Sequence, residues 1–267
     1  MFHVKQFGSA GRDAALRSER PHAKMFHVKP TQTPESPSVA EVRDALTGIG
    51  ITATPEQIAL LATHASLVLE ANRTTNLTRI TEREEFLRLH IVDSLLPLTH
   101  LPLTEGTVLD IGSGAGFPGI PLAVMGADVA LCETRKKKAA YLDQWSQQLG
   151  LHIPVLAMRA EEIPGSAGLF DWVIMRAVSS LGALVEIAQP LLREGGSLVA
   201  MKGTPSTVEE EEAARVSAIV GMEPAGRIEY TLPTVGEQRT LYQYLRKGRS
   251  RVPLPRRPGM AQTQPLP

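Results

Sequence analysis

A regular alternation of short apolar runs with helical stretches, beginning near Thr107, constrains the fold of this chain more than any other feature. The spacing predicts helices over 117–125, 135–149, 181–191 and 206–220. The predicted strands between them are Val108–Ile111, Val129–Cys132, Val155–Met158, Trp172–Met175 and Leu198–Met201. Short apolar strands that alternate with helices form a parallel sheet covered by helices on both faces. The sequence therefore predicts an α/β fold.

The end of this region has a different pattern. The runs 226–231 and 239–246 have no helical stretch between them, so they predict a terminal antiparallel pair. Five parallel strands followed by such a hairpin resemble the sheet of the Rossmann-like S-adenosylmethionine-dependent methyltransferases. We expect this fold class, preceded by a helical annex.

The annex is predicted from helix signals between Val39 and Leu103. Ser38 followed by Glu41 is a capping box, and Pro55 stands at the first position of a second helix. A third helix is predicted from Glu82 to Leu96. The resulting domain prediction is a disordered extension over 1–38, a helical annex over 39–104, a Rossmann-like domain over 105–248 and a basic tail over 249–267.

Composition excludes several protein classes. With 43% hydrophobic residues among 267, the chain has enough apolar side chains for a large core, so disorder throughout is excluded. A single cysteine, Cys132, excludes a disulfide scaffold and agrees with a reduced, cytoplasmic protein. No apolar run approaches the roughly 18 residues of a membrane helix, and no His/Cys cluster has zinc spacing, so neither a membrane nor a metal is expected.

Charge is unevenly distributed although the formal net charge is zero. Residues 1–38 carry +3, residues 241–267 carry +6, and the stretch between them carries −9. Basic ends bind polyanions through their local potential, but solvated tails without a partner have the same composition. Charge alone leaves these two interpretations open.

A glycine-rich loop follows the first predicted strand. Asp110 precedes Gly112, Gly114 and Gly116, and a helix follows. Such a loop lets a ligand approach the backbone, and it lies at the carboxyl ends of the strands, where open α/β sheets bind ligands. The dinucleotide fingerprint has its third glycine five residues after the first, whereas here it comes four after and Phe117 takes the fifth place. This spacing argues against a nicotinamide dinucleotide, and with Asp110 just before it the loop resembles the first motif of S-adenosylmethionine-dependent methyltransferases.

Two further carboxylates follow the next strands. Glu133 ends the second strand, where an acid can accept hydrogen bonds from ribose hydroxyls, although a solvent-facing strand-end charge is the alternative. Glu161, next to Ala160, follows the third strand, with Glu162 as an adjacent competitor. Cys132 lies inside a predicted strand, so we expect a small core residue rather than a nucleophile.

Widely separated motifs resemble one family, the small-subunit ribosomal RNA guanine-N7 methyltransferases (RsmG, formerly GidB). The motifs are Gly112 to Leu122, Asn76-Leu77-Thr78, His90 to Leu95, Arg176-Ala177-Val178, Lys202-Gly203 and Arg256 to Gly259. The resemblance covers about residues 40 to 260. It implies methyl transfer from S-adenosyl-L-methionine to a guanine of 16S ribosomal RNA, within the 30S subunit or an assembly intermediate. It also implies cofactor contacts at Gly112, Phe117, Glu133, Thr134, Arg135, Ala160, Glu161 and Arg176. The loop glycine Gly114 completes the predicted cofactor-binding set.

Guanine N7 has a lone pair and no proton, so it can attack the methyl group directly without a general base. We therefore expect alignment of the reactants to be the main catalytic task. Arg176, after the fourth strand, is the candidate that positions substrate and cofactor, with a structural salt bridge as the alternative.

Candidate RNA contacts are basic residues at several places in the chain. His90 and Asp93 share one face of a predicted helix, so Asp93 could orient His90 toward RNA or the cofactor pocket, or the two could form a structural pair. Lysines at a helix start oppose the helix dipole, which an RNA phosphate would explain, although a solvated face is the alternative. The full set of predicted RNA contacts is His90, Lys136, Lys137, Lys202, Arg256 and Arg257.

Three other functions remain open at this stage. A small-molecule methyltransferase would need neither the annex nor the basic tail. A nicotinamide-dependent oxidoreductase would need the other glycine spacing. A non-catalytic RNA-binding module would keep the fold and lose methyl transfer.

Overall fold

The computed structural model describes residues 36–164, 168–176, 179–204, 206–233 and 236–267. Most of the predicted N-terminal extension lies outside the described residues. This part includes the sequence Met-Phe-His-Val-Lys, which occurs at 1–5 and again at 25–29. Ala177 and Val178 of one family motif also lie outside the described residues.

A mixed sheet of seven strands forms the centre of the described part of the chain. The order across the sheet is β3-β2-β1-β4-β5-β7-β6. Strands β1 to β5 run parallel, and β7 pairs antiparallel with both β5 and β6. The strands are β1 Thr107–Ile111, β2 Asp128–Cys132, β3 Val155–Leu156, β4 Phe170–Arg176, β5 Leu192–Lys202, β6 Met222–Thr231 and β7 Gln238–Arg246. The predicted fold class is confirmed.

Strand lengths depart from the sequence prediction at three places. Strand β3 is an edge strand of two residues that ends before Met158, because only β2 pairs with it. Strands β5 and β6 start earlier than predicted, at Leu192 and Met222, where charged and glycine residues hide the strand pattern.

Helices cover both faces of the sheet. The longer ones are α1 Val39–Gly48, α2 Pro55–Asn72, α6 Lys136–Gln148, α7 Leu181–Ala188 and α8 Thr207–Val220. Shorter ones are α3 Arg83–Phe86, α4 Asp93–Leu95, α5 Gly119–Val124 and α9 Met260–Thr263. None of the helices in the described ranges is long and apolar enough to cross a membrane.

The annex helices share their core with one face of the sheet. Ser38 and Glu41 form the predicted capping box at the start of α1. Pro55 starts α2 as predicted, and the structure adds a second capping box there, formed by Thr54 and Gln57. Phe86, fully buried, packs in the same apolar cluster as residues of the sheet layer. The annex is therefore a layer of the same core rather than a separate unit.

The predicted third helix differs from an ideal α-helix. Between α3 and α4, residues Leu87–Val92 form a π-helical segment. Such segments are wound more widely than an α-helix and frequently occur at functional sites. The α-helical spacing predicted a direct contact between His90 and Asp93. In the structure, the guanidinium of Arg176 lies between them and contacts both side chains.

Candidate functional site

The glycine loop leaves the carboxyl end of β1 with the backbone geometry that its sequence predicts. Gly112 has a φ of 76° and is exposed, so a ligand can reach its backbone. Gly116 has a φ of 91°, and a Cβ there would lie 2.5 Å from Cδ1 of Ile120 and 2.9 Å from Nε2 of His64. Glycine at position 112 therefore leaves the loop backbone open to a ligand, and glycine at position 116 allows the loop to pack closely against Ile120 and His64.

Asp110 supports this loop from inside the protein. Its Oδ2 accepts a hydrogen bond from the N–H of Gly119 at 2.9 Å, and the side chain is fully buried. Its Oδ1 is buried without a hydrogen-bond partner. Burial raises the pKa of this carboxyl to about 7. An unpaired buried acceptor beneath a glycine loop fits a ligand with positive charge or N–H groups.

The raised pKa of Asp110 predicts a specific pH dependence of stability. The folded protein holds this proton up to about pH 7, whereas an unfolded aspartic acid loses it near pH 3.8. The contribution of Asp110 to the free energy of unfolding therefore falls as pH rises from about 4 to about 7. Asp110→Asn removes the titration, so we expect the wild type to lose stability relative to this variant over that range. Urea titrations at several pH values measure the difference, and a pH-independent difference would contradict the assignment.

Glu133 lies where the sequence predicts, beside the loop at the end of β2. Its Oε2 accepts from the N–H of Gly114 at 3.0 Å, and its Oε1 accepts from the N–H of Arg135 at 2.8 Å. The hydroxyl of Thr134 donates to Oε1 at 3.3 Å. The side chain is buried, so the solvent-facing alternative is wrong. Glu133 links the glycine loop to the turn that starts α6, which brings Gly114, Thr134 and Arg135 together.

The turn after β3 adds Ala160 and Glu161 to the same edge of the sheet. Ala160 is buried, and with Glu161 it opens a short 3-10 helix, Ala160–Glu162. Oε1 of Glu161 accepts from the N–H of Gly259 at 3.0 Å, a contact from the C-terminal segment that the sequence does not indicate. Cys132 is buried and its Sγ donates to the carbonyl of Met158, which confirms the predicted core role.

Arg176, at the end of β4, connects the sheet to the annex. Its Nη1 donates to the carbonyl of Leu89 at 3.0 Å and to Oδ2 of Asp93 at 3.1 Å. Its Nη2 lies 3.4 Å from Nδ1 of His90, and its Cζ lies 5.7 Å from the centre of the Phe117 ring. Sequence analysis left a structural salt bridge as the alternative to a positioning role for Arg176, and the salt bridge with Asp93 is present. The same contacts place Arg176 beside the residue that closes the glycine loop.

An aromatic stack connects the annex to the loop. The ring of Phe117 lies between His90, parallel at 4.6 Å, and His64, tilted at 4.6 Å. Nε2 of His64 lies 3.0 Å from the carbonyl oxygen of Ala115 in the loop. Sequence analysis missed His64, and the only signal was a histidine on the apolar face of a predicted helix.

Two further residues at Asp93 come from the terminal hairpin. The hydroxyl of Tyr230 donates to Oδ1 of Asp93 at 3.1 Å, and Nε of Arg239 lies 3.6 Å from the same oxygen. Tyr230 and Arg239 are register partners on β6 and β7. Sequence analysis missed both, because nothing local relates them to a helix more than 130 residues away.

Three of the six residues predicted to contact RNA have partners within the protein. His90 is buried, its Nε2 pairs with the hydroxyl of Thr78 at 2.8 Å, and its ring lies on Phe117. The ammonium of Lys202 forms an ion pair with Glu209 at 2.7 Å. Arg256 forms an ion pair with Glu186 that leaves 16% of its side chain exposed. These three side chains are paired within the protein, and their contact with RNA stays a prediction.

The other three predicted RNA contacts, Lys136, Lys137 and Arg257, are exposed. Lys136 and Lys137 start α6 directly after the turn that Glu133 holds. Within the described ranges, no group of three or more His, Cys, Asp or Glu is arranged to bind a metal ion.

Comparison with known proteins decides the family. The family model described as "rRNA small subunit methyltransferase G" matches residues 57–234, which is more than half of the chain. The chain belongs to this family. The predicted family is confirmed, and with it the predicted enzyme class, a methyltransferase that uses S-adenosylmethionine.

Curated relatives match more than four fifths of the chain. "Ribosomal RNA small subunit methyltransferase G" of Pelotomaculum thermopropionicum is 35% identical over 232 residues, 84% of this chain and 97% of the relative. The protein of that name from Deinococcus radiodurans is 37% identical and covers 82% of this chain and 88% of its own.

Among solved structures, a geranyl diphosphate methyltransferase with sinefungin matches with a TM-score of 0.49 and 17% identity. The match covers 61% of this chain and 79% of that one.

Proposed function

We propose that this member of the rRNA small subunit methyltransferase G family transfers a methyl group from S-adenosylmethionine to N7 of a guanine in 16S ribosomal RNA. The observation that carries the proposal is the constellation at the ends of β1, β2 and β4, in a chain of this family. Glycines 112 and 114, Glu133 and Arg176 converge there beside an unpaired buried acceptor, Oδ1 of Asp110.

S-adenosylmethionine supplies an electrophilic methyl group on a sulfonium, so its binding site must accept positive charge and polar groups. Glu133 provides a carboxylate beside the loop, and the buried Asp110 holds the loop from beneath. Ala160 and Glu161 lie at the next strand end in the sheet. These residues fit the cofactor through their charge and through the open backbone of Gly112.

The two histidines and the cysteine described near this site do not have the properties of a general base or a nucleophile. Burial lowers the pKa of His90 to about 3, and burial lowers that of His64 to about 4. The Nη2 of Arg176 faces Nδ1 of His90, which leaves the proton of the neutral ring on Nε2, toward Thr78. Burial raises the pKa of the Cys132 thiol to about 12, which argues against a nucleophilic thiolate. A site without a basic histidine or a thiolate suits a nucleophile that carries no proton, such as guanine N7.

Arg176 has the geometry of a positioning group. Asp93 and the carbonyl of Leu89 bind its Nη1, so the guanidinium is fixed at the end of β4. A fixed cation there can hold guanine O6 or a phosphate, which leaves N7 free to attack the methyl group. The enzyme then acts mainly by aligning N7, the methyl carbon and the sulfur in one line.

A surface cleft of about 440 Å³ supports the location of the RNA-binding face. It is lined by Asn76, Leu77, Thr78, Arg79 and Arg135. Arg135 belongs to the turn that Glu133 holds, and Lys136 and Lys137 follow it. Cations along an open cleft beside the cofactor-binding loop suit a phosphate backbone.

The direct test is incubation with methyl-labelled S-adenosylmethionine and ribosomal RNA that lacks the modification. We expect label in 7-methylguanosine after digestion of 16S RNA to nucleosides, with either bare RNA or 30S subunits as substrate. Label in another nucleoside would refute the N7 assignment. Absence of label from both substrates, in a protein that binds the cofactor, would favour a small-molecule substrate.

Replacing Lys136 and Lys137 by alanine is expected to weaken RNA binding and to reduce its dependence on salt. Removing one cation from a phosphate lowers the slope of log affinity against log salt by about 0.7 for a single strand. Filter binding at several salt concentrations measures the slope. Lys247→Ala is the matched control, since this exposed lysine follows β7 near the opposite edge of the sheet. Equal slopes in the double variant and the control would contradict the assigned face.

A further inference from the structure

The C-terminal segment, residues 254–264, folds back onto the sheet layer instead of extending into solvent. Leu254 packs against the apolar cluster that includes α7, and Ala261 in α9 is buried in it. The sequence predicted a basic tail over 249–267 with Arg256 and Arg257 as RNA contacts, although charge alone left a solvated tail as the alternative. The segment instead makes two specific contacts with the folded domain.

The first contact is a buried, two-pronged ion pair on α7. Nε and Nη2 of Arg256 donate to Oε1 and Oε2 of Glu186 at 2.7 and 2.6 Å. Nη1 of the same guanidinium donates to the carbonyl of Gln264 at 2.9 Å, which closes the segment into a loop. Only 4% of the Glu186 side chain is exposed. A guanidinium that donates two hydrogen bonds to one carboxylate fixes the orientation of the arginine more strictly than a single hydrogen bond does.

The second contact reaches the turn after β3. The N–H of Gly259 donates to Oε1 of Glu161 at 3.0 Å, and Glu161 is a residue that the family resemblance assigns to the cofactor. Gly259 lies three residues after Arg256 and has a φ of 84°, a backbone conformation that favours glycine. The ion pair at Arg256 thus anchors the segment three residues before the N–H that reaches Glu161. That N–H in turn fixes one oxygen of the Glu161 carboxylate.

We propose that the C-terminal segment is part of the cofactor-binding site, with Arg256 as the positioning residue that holds it. Arg256 anchors the segment on Glu186, Gly259 orients Glu161, and Glu161 presents its carboxylate to the cofactor. This inference rests on the proposed use of S-adenosylmethionine at the strand ends. It replaces the RNA contact that the sequence predicts for Arg256 with a role inside the protein.

Because binding linkage is reciprocal, the segment and the cofactor must stabilise each other. Adding S-adenosylmethionine to the wild-type protein should therefore slow hydrogen exchange of the amides in residues 254–264. Opening of a short surface segment is otherwise frequent, so its exchange reports this coupling directly. Unchanged exchange in this segment, in a protein that binds the cofactor, would overturn the inference.

The adjacent arginines provide a matched pair of variants. Arg256→Ala and Arg257→Ala remove the same charge from neighbouring positions, but Arg257 is exposed. We expect Arg256→Ala to raise the dissociation constant for S-adenosylmethionine about tenfold, within the range of coupling between linked sites. We expect Arg257→Ala to leave it unchanged. Isothermal titration calorimetry measures both constants, and equal values for the two variants would refute the role of Arg256.

RNA binding separates this inference from the alternative. If Arg256 contacts phosphate, its removal reduces the salt slope of RNA affinity. If it acts only through Glu186, Arg256→Ala leaves that slope at the wild-type value. If Arg256→Ala does not fold, Glu186→Gln is the second variant, since it weakens the same ion pair without changing the size of the side chain. We expect it also to raise the dissociation constant for S-adenosylmethionine. A wild-type protein that does not bind S-adenosylmethionine would refute the proposed function itself.

Discussion

Gly112→Val is expected to abolish measurable binding of S-adenosylmethionine while the protein remains folded. Gly112 is the first loop residue after β1 and has a φ of 76°. A β-branched residue rarely adopts this backbone conformation, so the loop must change its path. The valine side chain would also occupy the exposed approach to the loop backbone. Both effects act on the surface that the cofactor needs.

Gly126→Val is the control that separates these effects. Gly126 has a φ of 102°, and no atom lies within 4 Å of a Cβ built on it. It follows α5 and precedes β2, so it lies at the opposite ends of the strands from the glycine loop. Both variants carry comparable backbone strain of about 1–3 kcal/mol, but only Gly112→Val changes the proposed site. Calorimetric titration with S-adenosylmethionine compares them, and wild-type affinity in Gly112→Val would defeat the assignment of the loop.

Asp93→Ala is expected to lower the free energy of unfolding by about 3 kcal/mol or more, the usual cost of removing one partner from a buried ion pair. Only 3% of the Asp93 side chain is exposed. Its carboxylate accepts from Arg176 and Tyr230, and Arg239 lies nearby. Without it, the guanidinium of Arg176 has no opposite charge beside it in a largely buried position. The annex, β4 and the terminal hairpin lose the group that they share.

Denaturant unfolding measures this effect, and Glu223→Ala provides the comparison. Glu223 forms an exposed ion pair with Lys247 at 3.9 Å, so its removal should cost less than about 1 kcal/mol. We also expect Asp93→Ala to reduce methyl transfer, because Arg176 would no longer be fixed. Equal reductions of stability in the two variants would show that the cluster at Asp93 does not hold the annex to the sheet.

The agreement between sequence and structure is best where the chain makes its own local contacts. Ser38 and Glu41 cap a helix three residues apart, and the glycine loop adopts positive φ values because only glycine does so without strain. Glu133 follows its strand directly, so its position at the loop follows from the parallel sheet. These features depend on neighbours in sequence or on the strand period.

The sequence pattern does not reveal the partners of several polar and charged side chains. Arg256 was predicted as an RNA contact, but its partner Glu186 is 70 residues away. Lys202 binds Glu209 on the next helix, and His90 turns inward against Phe117 within the π-helical segment. A cation has the same sequence signature whether it faces a phosphate or a buried carboxylate.

The sequence by itself determined the sheet plan, the position of the glycine loop and the family. These follow from apolar periodicity, glycine spacing and ordered motifs, which are all patterns of residues in the sequence. Only the tertiary structure decided which charges remain available to a ligand and which are neutralised inside the protein. The physical reason is that burial and ion pairing depend on distances through space, and the fold sets those distances by bringing together the annex, the strand ends and the C-terminal segment.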